Sequence, residues 1–288
     1  MICPACGGST HAFLEATADQ RKRYLEYSRL KYGGLLDDWL IDLQLVLCHC
    51  ADCGHWWYRD VPSVERLDAM YAAGIPLFSH EAPSRVPTPE MRTAMRGLRR
   101  IVSHESQPSL LDFGSGFGRW ARAAVQVGFE VHAYEPSKTR GREESPPFTL
   151  VHTIAELGLR KFDVINLEQV LEHIPSPVAT LQSLHSLCKP GAVLRIAVPN
   201  ILRSVEGAEL WRDWPFNGMR PHTLAPFEHL HGFTPESLKR LVNRAGFSEI
   251  KWSRLISTHP QLALRRVVGQ LWLPFDQTLV IAQSPLGH

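Results

Sequence analysis

The chain has 288 residues, 44% of them hydrophobic, enough for a full buried core and one small added module. Lys and Arg number 31 against 29 Asp and Glu, and a net charge of +2 gives no electrostatic ground for a nucleic-acid partner. No apolar run reaches the length of a membrane span, and Met1-Ile2-Cys3-Pro4 has neither the basic nor the apolar stretch of a secretory signal, so a cytoplasmic protein is expected.

In that compartment the six cysteines read as metal ligands or free thiols before disulfides. Cys3-Pro4-Ala5-Cys6-Gly7 and Cys50-Ala51-Asp52-Cys53-Gly54 are two CxxC turns, each followed by glycine. Thiolates at i and i+3 can share one ion, and the glycine permits the positive φ that carries the chain around it. Two such turns make a four-sulfur tetrahedral set, the closed arrangement of a structural zinc, with Cys3, Cys6, Cys50 and Cys53 as ligands. Cys48, His49 and His55 lie close enough in sequence to substitute for one of them. No thioredoxin-like strand pattern surrounds either turn, which argues against a redox pair. Between the turns, Gln20 to Lys31 reads as a charged helix and Trp39 to Leu47 as a strand.

Val64 to Ala73 reads helical, and 76–89, broken by four prolines, reads as a linker that caps a ligand. Glu90 to Val102 is the next helix. Ser109-Leu110-Leu111-Asp112-Phe113 is then a short apolar strand ending on an acid, followed by Gly114, Gly116 and Gly118 at alternate positions. Arg119 to Val125 opens a helix whose first amides face that turn. Strand, glycine turn and helix form the nucleotide-handling corner of a doubly wound sheet. The dinucleotide fingerprint needs a further glycine where Arg119 stands, and Asp112 would repel a pyrophosphate; it suits a ligand with a cationic amino group. Glu130 to Ser137 is the next strand, with Glu135 placed to accept both hydroxyls of a ribose.

This pair of motifs resembles that of the class I S-adenosylmethionine (SAM) methyltransferases. The cysteine layout likewise resembles the zinc-binding segment ahead of the methyltransferase domain in many bacterial enzymes, deoxysugar methyltransferases among them. Phe162-Asp163-Val164-Ile165-Asn166-Leu167 running into Glu168-Gln169-Val170-Leu171-Glu172-His173-Ile174-Pro175 resembles the family's signature after the fourth strand. Pro190 to Asn200 resembles its fifth strand, and Glu228 to Leu238 its next helix entry, with Thr234 as N-cap and Pro235 at the first helical position. Phe148 to Thr153 supplies the third strand, Ala192 to Val198 the fifth, and Ser248 to Leu255 with Gln277 to Ala282 a terminal antiparallel pair.

The expectation is an α/β, doubly wound, Rossmann-like sheet of seven mostly parallel strands with an antiparallel last strand, plus a small amino-terminal zinc-binding module. Residues 1–60 form that module, 61–105 a helical linker or cap, and 106–288 the methyltransferase domain, with 202–232 as a substrate lid. The resemblance implies that Asp112, Gly114, Ser115 and Gly116 hold the methionine part of SAM and that Glu135 and Pro136 meet the ribose. It implies that Ala155 and Glu156 flank the adenine and that Glu168 and Gln169 lie near the sulfonium. His173 and His231 are the candidate general bases, since an imidazole can take a hydroxyl proton near neutral pH. The 202–232 segment carries Trp211, Trp214, Phe216, His222, Phe227, His229 and His231 with Arg203, Arg212 and Arg220, a set that suits a saccharide or an aromatic acceptor.

The leading function is methyl transfer to a hydroxyl of a small molecule, a saccharide or natural product. One alternative is a metal-assisted O-methyltransferase of the ubiquinone-biosynthesis type. That family places an acid three residues before Glu172, where this chain has Gln169; Glu168 is offset by one, which on a helix turns it away by about 100°. Catalytic magnesium is therefore not expected. Another alternative is a nucleic-acid modifying protein with the ribbon as reader, against which stand the mixed charges of the ribbon and the lack of an Asn-Pro-Pro-aromatic tetrad.

Overall fold

A computed structural model of the chain describes residues 1–9, 11–42, 44–67, 69, 84–103, 105–138, 145–202, 216–217, 220–221, 224, 229–249 and 277–286. The elements in order are β1 (His11–Glu15), α1 (Ala18–Tyr32), α2 (Asp37–Asp42), β2 (Val46–Cys50), β3 (Trp56–Tyr58), α3 (Pro89–Ile101), β4 (Ser109–Phe113), α4 (Arg119–Val125), β5 (Glu130–Tyr134), β6 (Thr149–Val151), β7 (Phe162–Glu168), α5 (Pro177–Ser186), β8 (Cys188–Pro199), β9 (Phe216–Asn217), β10 (Arg220–Pro221), β11 (His231–Gly232), α6 (Pro235–Arg244), β12 (Ser248–Glu249) and β13 (Gln277–Gln283).

The seven-stranded sheet has the order β12-β13-β8-β7-β4-β5-β6. β6, β5, β4, β7 and β8 run parallel, and β13 lies antiparallel between β8 and β12. The expected fold class is the observed one. Alternation along the central strands feeds two apolar layers. Leu111, Ile165 and Leu194 face α5 and α6 through Leu181, Leu184, Leu238 and Leu241. Leu110, Val164 and Val193 face α3 and α4 through Met95, Leu98, Ala121 and Ala124.

The amino-terminal segment builds a second sheet, β1-β2-β3-β11, whose fourth strand comes from the far end of the chain. Its cysteines and Trp57 share one apolar cluster with the layer of Leu111 and Leu241. Helix α1 starts at Thr17, whose hydroxyl and backbone exchange hydrogen bonds with Gln20, and stops at Gly33 with φ +62°.

One strand expectation fails. Trp39 to Ile41 belongs to α2, and the strand begins only at Val46. Helical spacing decides it: Leu36 and Leu40, four apart, are both buried, whereas Ile41 is 65% exposed. β8 starts at Cys188, ahead of the Pro190 to Asn200 stretch that resembles the family's fifth strand. Of the segments expected to be helix, cap and lid, 70–83 and most of 203–228 lie outside the described residues, with Arg203, Trp211, Arg212, Trp214, His222 and Phe227 among them; so does 250–276.

Asp163 pins the start of β7 to β4 and β8. Its Oδ2 accepts from the Ser109 amide and hydroxyl, both at 2.8 Å, and from Lys189 Nζ at 2.7 Å. Burial alone would raise this carboxyl; the Lys189 ammonium and the Ser109 donors hold it below its ordinary value. A carboxyl lowered in the folded state stabilises above its unfolded pKa of about 3.9 and loses that contribution as pH falls through the folded value. Asp163→Asn is expected to cost about 1.5–3 kcal/mol at neutral pH and to flatten the melting-temperature profile below pH 4, as measured by calorimetry.

Candidate functional site

Strand order reverses at β4, so the carboxyl ends of β4 and β7 diverge there and leave the crevice in which open α/β sheets place ligands. The glycine turn forms one wall. Gly114, Gly116 and Gly118 all have positive φ. A Cβ at Gly114 would stand 2.5 Å from Val170 Cγ2, so this glycine lets the turn after β7 close down on the turn after β4. A Cβ at Gly116 would meet nothing within 4 Å, which leaves its backbone face open to a ligand.

Asp112 ends β4 beneath that turn, 2% exposed. Its Oδ1 accepts from Asn166 Nδ2 at 2.7 Å, and Asn166 Oδ1 accepts from Arg195 Nη1 at 2.8 Å. Arg195 Nη1 also donates to Glu168 Oε2 at 2.7 Å, and its guanidinium lies 4.3 Å from the centre of the Trp120 ring. The arginine fixes the amide: Oδ1 must face the cation, so Nδ2 must face Asp112. Oδ2 of Asp112 has no hydrogen-bond partner among the described residues. Burial pushes the carboxyl up to about 6, against the pull of the Asn166 hydrogen bond and the Arg195 charge. A buried carboxylate with one oxygen held and the other unused is a receptor for a cationic donor.

Glu135, at the end of β5, is also buried. Its Oε2 accepts from the Gly116 amide at 2.8 Å and its Oε1 from the Ser137 amide at 3.0 Å, so it ties the glycine turn to the neighbouring strand end. The Ser115 hydroxyl is buried and unpartnered among the described residues, and Pro136, next to Glu135 in sequence, is exposed. Ala155 and Glu156 lie exposed on a single 3-10 turn, Ile154–Leu157, at the same end of the sheet. There the Glu156 carboxylate caps its own turn through the Thr153 amide at 2.8 Å.

The turn after β7 carries the strongest local conformational signal. Gln169 is the one non-glycine of positive φ among the described residues, at +54°, and its Nε2 is buried without a partner among them. Non-glycine residues held in this region mark constrained sites. The expectation that Glu168 sits on a helix is corrected here. It ends a strand, and Arg195 rather than helical offset takes its carboxylate away from Glu172.

Just beyond the turn after β7, Glu172 and His173 join His229, with their ligand atoms within 4.8 Å of one another. Glu172 is 1% exposed; both its oxygens lack hydrogen bonds among the described residues, and burial raises its carboxyl to about 8. His173 Nε2 is 3.8 Å from Glu172 Oε1, and the His173 and His229 rings meet edge to face at 4.8 Å. His231 is not part of this group. It is buried under β3, with Nδ1 3.2 Å from His55 Nε2, and burial lowers it to about 4.

The four cysteines converge as the spacing predicts. Cys3 and Cys53 sulfurs are 3.7 Å apart and those of Cys6 and Cys50 3.6 Å, close to the roughly 3.8 Å edge of a tetrahedron built on zinc–sulfur bonds of about 2.3 Å. Gly7 and Gly54 have the positive φ expected of them. The Cys53 thiol draws Cys3 down to about 5, while Cys3 pushes Cys53 up, so four adjacent thiols call for a cation to ionise together. The alternatives are otherwise engaged: Cys48 Sγ touches Met1 Sδ at 3.7 Å, His49 stacks on Trp56 and His55 pairs with His231.

Motif reading passes over Asn166 and Arg195. The available signal was a polar residue interrupting each of two apolar parallel strands, Phe162–Glu168 and Cys188–Pro199.

Comparison with known proteins places this geometry. The family model described as a methyltransferase domain matches residues 88–251. The ubiquinone biosynthesis O-methyltransferase of Ruegeria pomeroyi is 27% identical over 174 residues, 51% of this chain and 67% of that protein. Its counterpart in Caulobacter vibrioides is 28% identical over 128 residues, 40% of this chain and 50% of that one. The chain thus spans between half and two thirds of the length of these relatives. The structure of the (4+2)-cyclase SpnF shares the fold, with a TM-score of 0.50 at 16% identity over 79% of this chain and 98% of the other. Among the described residues no helix is long and apolar enough to cross a membrane. With its family model matched from α3 through α6 and the glycine turn, Asp112 and Glu135 in place, the chain belongs to the methyltransferase domain family of class I SAM-dependent methyltransferases.

Proposed function

We propose that this protein transfers a methyl group from SAM to a hydroxyl of a small-molecule acceptor, a saccharide or natural product, in the cytoplasm. The observation that carries the reading is the unpartnered Oδ2 of buried Asp112, just before a glycine turn with open space at Gly116, together with the cluster of Glu172, His173 and His229. These residues fit SAM. The ammonium of its methionine end supplies the donor that Asp112 lacks, the glycine turn leaves room for its chain, and Glu135 offers remaining lone pairs to the ribose. Ser115 lies in the glycine turn and Pro136 follows Glu135 after β5, Ala155 and Glu156 flank the adenine, and Glu168 and Gln169 stand near the sulfonium. Bound SAM supplies a methyl already activated for in-line displacement.

What the chain must add is alignment and a destination for the acceptor proton. His173 and His229 serve that role; His231, sealed against His55, does not. Glu172 stands beside the pair, with its Oε1 3.8 Å from His173 Nε2. The O-methyltransferases among the relatives support a hydroxyl acceptor. The mixed charges of the cysteine module speak against nucleic acid. A second, metal-assisted reading is favoured by one observation: Glu172, His173 and His229 can jointly reach a cation. Added manganese distinguishes the two, raising turnover only if a cation binds there. The four cysteines hold a structural zinc, supported by their near-tetrahedral spacing.

Three outcomes follow from this reading. SAM affinity measured by calorimetry should be flat above pH 7 and weaken below pH 6 as Asp112 protonates, and Asp112→Asn should remove that dependence with a roughly ten- to hundredfold loss. His173→Ala or His229→Ala should lower turnover by roughly 10²–10⁴ with SAM affinity nearly intact, while His231→Ala should act on stability first. Elemental analysis should find one zinc per chain, lost in Cys50→Ser together with a large part of the folding stability.

A further inference from the structure

Both cysteine turns grip the same helix. From the last turn of α6, Arg244 Nη1 donates to the carbonyls of Pro4 at 2.9 Å, Ala5 at 3.3 Å and Cys3 at 3.5 Å, the backbone of the first turn. At the other end of α6, the N-cap Thr234 donates its hydroxyl to the Cys53 carbonyl of the second turn at 2.9 Å, with both groups buried. A ten-residue helix spans about 15 Å, so a single ion joining the two turns fixes both its ends. A Cβ at Gly54 would lie 3.1 Å from Thr234 Cγ2, which shows how closely the second turn meets the cap.

From the second turn the contacts run on into the catalytic face. Gly54 N bonds Cys50 O at 2.8 Å and Cys50 N bonds His55 O at 2.9 Å, closing the turn. His55 then meets His231, and β3 pairs with β11 in the register Trp57 to His231 and Trp56 to Gly232. Tyr58 N donates to Leu230 O at 3.1 Å, and Leu230 N donates to the carbonyl of Glu172 at 2.8 Å. β11 has two residues and β3 three, too short to hold this pairing without fixed ends.

We infer that the four-cysteine centre is the clasp of the acceptor wall: the ion that closes both turns holds 229–234, and through it the Glu172–His173 turn, against the SAM-binding half. This rests on the readings of a zinc at the four cysteines and of the Glu172, His173 and His229 group as the acceptor side. It makes Thr234, Arg244 and His55 positioning residues for the acceptor wall. The SAM half is tied within itself: the Gly116 amide donates to Glu135 Oε2 at 2.8 Å, and Asn166 Nδ2 to Asp112 Oδ1 at 2.7 Å.

The test is hydrogen exchange by mass spectrometry on the full-length protein, as purified and after zinc removal with 1,10-phenanthroline, alongside Thr234→Val with its metal retained. Stripping should speed exchange at least tenfold in peptides covering 171–175 and 229–234, leave 109–116 and 130–137 protected, and keep SAM affinity within about twofold. Thr234→Val should reproduce the faster exchange at 229–234 with one zinc still bound. Protection of 229–234 that survives stripping, in protein shown to have carried zinc, overturns the clasp alone. Loss of protection throughout, including 109–116, overturns it in favour of a global stabiliser. Protein that purifies without metal overturns the zinc reading and the ion's part in the clasp together.

Discussion

Asp112 carries a charge at the end of the central strand of a sheet, with 2% of its surface open to water and Leu110, Leu111 and Ile165 for neighbours. A carboxylate placed there without help would keep its proton, because desolvation outweighs any benefit of ionisation. Help arrives across two strand boundaries. Asn166 on β7 supplies a hydrogen bond, and Arg195 on β8 supplies the positive charge that makes it tolerable to gather Asp112 and Glu168 in one place. Two carboxylates against one guanidinium leave this cluster negative by one unit, the complement of a ligand with a cationic end. Parallel pairing is what makes this possible, since it brings the carboxyl ends of β4, β7 and β8 to one side of the sheet in register.

The cysteine module stands in a similar dependence on the main sheet. Cys3, Cys48, Cys50, Cys53 and Trp57 lie in the same apolar cluster as Leu111, Leu167 and Leu241. A tethered ribbon would present a wet, polar interface of its own. Here the module completes its sheet with β11 and holds both ends of α6, so this side of the molecule is built from distant parts of the chain.

How much of this the sequence discloses depends on how far each signal reaches along the chain. The buried parallel strands are legible because their apolar runs are bracketed by Gly, Pro and charge, as at Phe162 to Leu167. The cysteine turns are legible because CxxC-Gly encodes their whole geometry within five residues. Trp39 to Leu47 is ambiguous for the opposite reason: a short apolar run suits either period, and only the burial of Leu36 with Leu40 decides for the helix. The Asp112–Asn166–Arg195 chain is invisible to local patterns because its members stand 54 and 29 positions apart. The histidines at 229 and 231 look alike in sequence. What separates them is the pairing of His231 with Trp57, a partner on another strand far earlier in the chain.

The sheet that borrows its last strand from β11 also sets an order of events at the ribosome. The hydroxyl of Thr234 reaches a carbonyl 181 positions earlier, and His231 a ring 176 positions earlier. At elongation rates of roughly 5–20 residues per second, the amino-terminal strands wait on the order of ten to forty seconds for their partner. Through that interval β3 offers an open edge beside an apolar surface bearing Trp57 and Tyr58, the kind of exposed strand on which neighbouring chains pair. The nascent protein therefore passes through a window in which that edge stands unpaired, before Glu172 and His173 have met His229.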